Sequence, residues 1–244
     1  MVDTVLSPPS RTEPSPASTP RILIGLSLLL AGVLPAIGFL ILPAIGWPDI
    51  AQGMSAGEAL PKVAANEVAF RLGFGAMTLG ALVALPATIY LARRVGGWFL
   101  LGLALAAAVL RPLWYGSSLT VIPVLQDLWE RGDASTRAAV DVFYVGYNDL
   151  MSTVQEDIGV NIFNGLFLLM IGIGTWKRAV YPRWLAVLAA ISGVSFLVSS
   201  AELLGLPNPA FIAIAGPVLS SLWFIALGVV ELARARREPT VVLA

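Results

Sequence analysis

The chain has 244 residues, 57% hydrophobic and 12% charged, with no net formal charge and a mean hydropathy of +0.84. Soluble domains carry about a quarter charged residues, so this composition points to a polytopic membrane protein, and the absence of net positive charge argues against nucleic acid as a partner. Cys and His are both absent, which excludes disulfides, thiolate chemistry, the usual zinc sites, iron–sulfur clusters and His-ligated haem. No metal site and no cofactor are expected, and any ion site would be built from oxygen ligands.

Residues 1–20 hold five prolines among Ser and Thr, a composition that predicts a disordered tail. The apolar run that follows is too long for a signal-peptide core, so it reads as a retained first helix. A spanning helix needs about 20 predominantly apolar residues. Six stretches meet this within a transmembrane domain covering 21–233: 22–47, 70–92, 98–123, 158–176, 184–204 and 210–232. Residues 234–244 form a short C-terminal tail. Between spans, Ser55–Ala69 reads as helical, and Asp133–Met151 carries Val140, Phe143, Tyr144, Tyr147 and Met151 on one stripe that predicts packing on the bundle or in the headgroup layer. The fold class is therefore all-α, a six-helix membrane bundle.

Orientation follows from Lys and Arg near span ends, which are retained in the cytoplasm. Ten of the 15 basic residues fall on alternate loops: Arg11, Arg21, Arg93, Arg94, Lys177, Arg178, Arg183, Arg234, Arg236 and Arg237. The acids gather on the opposite side. Both termini are expected in the cytoplasm, in a bacterial cytoplasmic membrane. Trp47, Trp98, Trp176 and Trp184 stand at span ends, where indole rings favour the headgroup layer. Gly73, Gly80, Gly172, Gly174 and Gly193 suit close helix approach.

Three segments carry a family resemblance: Asn66–Arg94, where a polar stretch leads into the second span; Asn161–Val194, with a basic turn and Pro182-Arg183-Trp184-Leu185 opening a helix; and Ser199–Phe211. Here the chain resembles a bacterial family of small six-helix membrane proteins known only as a domain of unknown function. The resemblance implies a fold and a location but no activity, so no catalytic residue is assigned.

Ionisable groups inside a bilayer are costly and tend to face a bundle interior or a water-filled cavity. Arg111 lies 13 residues past Trp98, and Glu202 lies 18 past Trp184 on a span running the same way. These positions place both in the half of the membrane away from the basic loops and predict them to be partners or near neighbours. Arg71, Glu156 and Asp157 stand at the same end, and Asp157, Asn161 and Asn164 are spaced i, i+4, i+7 on one face. Together, Arg71, Arg111, Glu156, Asp157, Asn161, Asn164 and Glu202 make a candidate charged layer, either an ion-pair network or the lining of a site.

Three functions fit this sequence. The favoured one is an accessory or structural membrane component, not an enzyme, with the bilayer and a membrane-protein partner as its contacts. A transporter or binder of a small polar or anionic solute is the second, with Arg111 as counter-ion. The third is an enzyme acting on a lipid or isoprenoid, with Glu202 or Asp157 as proton donor.

Overall fold

A computed structural model describes residues 18–47, 54–206 and 210–237. The disordered tail proposed for 1–20 and the end of the 234–244 tail lie largely outside these. The described elements are α1 (Ser18–Ala44), α2 (Ala56–Ala65), α3 (Glu67–Val95), α4 (Trp98–Arg131), α5 (Ala134–Leu150), a π-helix (Met151–Asn164), α6 (Gly165–Arg178), α7 (Arg183–Ser199), a 3-10 turn (Ser200–Leu204) and α8 (Ala210–Arg237). Among the described residues, six helical rods are long and apolar enough to cross a membrane. They pack as a closed ring in chain order: α1 on α3, α3 on α4, α4 on the π-helix, α6 on α7, α7 on α8, and α8 back on α1. An interior space bordered by every span follows from that ring.

Two rods exceed the lengths expected from apolarity. Helix α4 continues past Pro123 to Arg131, 34 residues in all, or about 51 Å at 1.5 Å per residue against a hydrocarbon core of about 30 Å. The segment expected outside the fourth span is continuous with it, because α5, the π-helix and α6 form one rod, Ala134–Arg178. The projecting part of α4 packs with α2 and α5 around Leu60, Phe70, Phe74, Ile122 and Tyr144. A second core, around Leu28, Leu91, Phe167, Leu168, Trp223 and Phe224, fills the rest of the bundle. Of the predicted stripe on α5, Val140, Tyr144 and Tyr147 are buried and Phe143 is exposed.

Caps fix this projecting end. Asp133 accepts from the Thr136 backbone N–H at 2.8 Å and from the hydroxyls of Thr136 and Ser135, each at 2.8 Å. Those bonds hold its carboxyl down at about 2. Asp141 of α5 accepts from the Ala56 N–H at 2.8 Å, which ties the start of α2 to α5.

Trp98, Trp176 and Trp184 are exposed at rod ends. Trp47, also at a rod end, is half-buried and packs on Phe70 and Phe74, with centroids at 5.2 and 4.9 Å.

Candidate functional site

The π-helix shapes the site. Helices with i→i+5 hydrogen bonds are rare, occur mostly as single turns, and cluster at functional positions. Here the π-helix runs 14 residues and carries Glu156, Asp157, Asn161 and Asn164. Glu156, Asn161 and Asn164 line a central cavity of about 140 Å³ that residues of all six rods border. Arg111 of α4 lines it too, along with Tyr115, Ser199, Ser220 and Ser221. Asp157 stands behind this wall, buried, and accepts from the Asn161 side-chain amide at 3.0 Å.

Arg111 folds back on its own helix, its Nε donating to the Ala107 carbonyl at 3.3 Å. Its Nη2 is buried with no hydrogen-bond partner. Asn164 is 1% exposed, and neither its Oδ1 nor its Nδ2 has a partner. The cavity wall includes two further polar features. Proline has no N–H, so Pro35 and Pro217 deprive the carbonyls of Ala31 and Ala213 of their helical donors, and all four residues line the cavity.

A vestibule of about 420 Å³ adjoins the central cavity, sharing Phe39, Met77, Trp114, Tyr115 and Glu156 with it. It extends toward the α2–α5 end, reaching Trp47, Tyr147 and Asn148, and Glu202 lines it. Phe74, Tyr115 and Trp114 form an aromatic wall, with centroids at 6.5 Å (Phe74–Tyr115) and 4.9 Å (Trp114–Tyr115).

The sequence-derived layer thus divides. Arg111, Glu156, Asn161 and Asn164 meet in the central cavity, Asp157 backs it, and Glu202 lies in the vestibule. Arg111 and Glu202 form no ion pair with each other, because they border neighbouring chambers. Arg71 joins neither: it bonds Glu67 at 2.8 Å one turn away, and both are about half exposed.

A second polar cluster, at the basic end, escaped the sequence reading. Glu231 of α8 is fully buried, and its Oε1 accepts from the Tyr181 hydroxyl at 2.5 Å. Arg94 of α3 and Arg234 of α8 approach that oxygen at 3.8 and 3.9 Å. Both guanidinium groups lie over the Tyr181 ring, at 5.5 and 4.8 Å. Arg94 also donates to the Tyr90 hydroxyl, and Arg234 donates to the Val180 carbonyl at 2.9 Å. The signal that could have found this cluster is a lone acid inside the last apolar run, with Arg234 three residues on and Arg94 at the same depth.

The family model for Domain of unknown function (DUF4386) matches residues 23–233. The chain belongs to this family. No curated protein and no solved structure matches it significantly. Membership of DUF4386 agrees with the six-rod ring: the matched range runs from the second turn of α1 to the last turns of α8, so it takes in every residue bordering both chambers. In DUF4386 terms the chain is a multi-pass membrane protein with a bundle-like helical domain.

Proposed function

We propose that this chain binds a small solute bearing an anionic group within the membrane, with Arg111 and Asn164 as its anchors. One observation carries the reading: the Arg111 Nη2 and both amide atoms of Asn164 lack protein partners and border one cavity. A buried polar group left unsatisfied costs roughly 1–3 kcal/mol, and more when it is charged. Glu231 differs: its Oε2 is also buried without a partner, but its Oε1 accepts from Tyr181 and lies within reach of two arginines, whereas the Asn164 amide has no partner at either atom. Guanidinium and amide N–H groups converging on one small space suit a carboxylate or phosphate oxygen. A volume of about 140 Å³ is near that of an engineered cavity that takes benzene, so the solute has only a handful of heavy atoms. The accessory-component reading draws instead on the Glu231 cluster, whose charges are largely mutually satisfied.

Thermal unfolding in detergent, titrated with acetate, propionate, butyrate and inorganic phosphate, tests this. Saturation at 100 times Kd stabilises by about 2.7 kcal/mol, a rise of several degrees for a chain this size. At least one of these anions is expected to raise Tm in the natural protein. Asn164→Leu, nearly isosteric, is expected to fold and to lose that response. Equal responses from the two proteins would refute the assignment of Asn164.

The basic loops support an orientation with the α3–α4 and α6–α7 turns in the cytoplasm, the vestibule facing away from it, and the protein resident in a bacterial cytoplasmic membrane. The chain has no natural Cys, so single cysteines report cleanly. Ala138→Cys, exposed on α5, is expected to react with an impermeant maleimide in intact cells, and Gly97→Cys, exposed between α3 and α4, only after lysis. The reverse labelling would invert the orientation.

A further inference from the structure

The two chambers differ in charge. The central cavity contains one cation, Arg111, beside the Asn164 amide, and Glu156 stands where it meets the vestibule. Glu156 lies within electrostatic reach of Asp157 and Glu202, and Asp157 in turn of Glu202. Tyr115 lines the central cavity with Arg111 and Glu156 and sits within electrostatic reach of both. Arg111 and Glu156 border the same small cavity yet form no ion pair, since Arg111 turns back toward Ala107.

Opposite charges held apart in one cavity match a ligand carrying both signs. We infer that the solute is a zwitterion about the size of a small amino acid, its carboxylate or phosphate on Arg111 and Asn164 and its ammonium group at Glu156. This inference rests on the anion-binding reading above and specifies its ligand class. The neighbouring acids support it: the carboxylates of Glu156 and Asp157 repel one another, and a bound ammonium relieves that repulsion. A purely anionic ligand lacks that contribution. Ala31 and Ala213, whose carbonyls Pro35 and Pro217 deprive of the usual helical donor, line the same cavity.

The experiment compares matched pairs that differ only in the ammonium group. Glycine, β-alanine and 4-aminobutyrate are titrated beside acetate, propionate and butyrate into the purified full chain, with Kd read from thermal unfolding or calorimetry. At least one amino acid is expected to bind about tenfold or more tightly than its matched acid, corresponding to about 1.4 kcal/mol. Glu156→Gln is expected to bring that ratio near one while keeping acid binding. Glu202→Gln, in the vestibule, should reduce it less and serves if Glu156→Gln does not fold.

A ratio near one in the natural protein, with acids still binding, would overturn the zwitterion inference and leave the anion site standing. No response to any of the six probes or to inorganic phosphate would overturn both. Repeating the titration in nanodiscs of phosphatidylglycerol with and without phosphatidylethanolamine identifies the source. Weaker amino-acid binding with phosphatidylethanolamine means that its headgroup competes for the site, and unchanged binding means a free solute.

Discussion

Replacing Glu231 by alanine is expected to cost about 3 kcal/mol of folding stability. Removing one member of a buried charge cluster strands the others, a loss of about 3–5 kcal/mol. The lower figure applies because Arg94 and Arg234 remain about one-third exposed and keep some hydration. The substitution takes away the acceptor for the Tyr181 hydroxyl and the counter-charge for both arginines at once, and so loosens the contact among α3, the α6–α7 turn and α8. Glu231→Gln keeps an acceptor for Tyr181 and should lose roughly half as much. Reversible unfolding in mixed micelles measures both, and a change below about 0.5 kcal/mol for the alanine variant, the range of ordinary surface substitutions, would show that the cluster does not hold the basic end together.

Gly193→Val is expected to destabilise by about 3 kcal/mol, at the upper end of overpacking costs. A Cβ at position 193 would lie 2.6 Å from the Gly165 carbonyl oxygen and 2.6 Å from the Leu169 backbone nitrogen. Both are main-chain atoms, so no side-chain rotation relieves the clash and α6 must separate from α7. Without a hydrophobic drive between helices in lipid, such close packing is a main source of association. Gly75→Ala is the control: nothing lies within 4 Å of a Cβ there, and alanine in a helix interior should be neutral or stabilising by about 0.5–1 kcal/mol. Equal effects at positions 193 and 75 would contradict the close-packed α6–α7 seam.

The six rods were legible because each is a long apolar run, and apolarity over about 20 residues is what a bilayer demands. Rise per residue converts sequence position into height along a span, and on that basis Arg111 and Glu202 were expected as partners or near neighbours. Height alone does not determine azimuth, however. Arg111 and Glu202 border adjoining chambers and form no ion pair with each other. The π-helix was not legible, because no residue type signals a switch from i→i+4 to i→i+5 bonding. It extends the fourth rod without a break, so the segment read as separate from the span is continuous with it. Glu231 escaped because it is an isolated acid, and two of its partners, Arg94 and Tyr181, lie far from it in sequence, only Arg234 standing one turn away. The packing of Trp47 on Phe70 and Phe74, one turn apart on α3, was not legible either, because it joins aromatics from two separate spans.

The central claim is that Arg111 is retained for a ligand at a cost to the fold. The stability of Arg111→Met without added anion tests it most directly. Met keeps much of the side-chain volume and removes a charged group whose Nη2 is buried and unpartnered. Substitutions that relieve such functional strain commonly stabilise by about 0.5–2 kcal/mol. The expected result is a rise of that order in unfolding free energy, together with loss of any anion-induced increase in Tm. A fall in stability of 2 kcal/mol or more, the behaviour of a paired structural arginine, would contradict the claim.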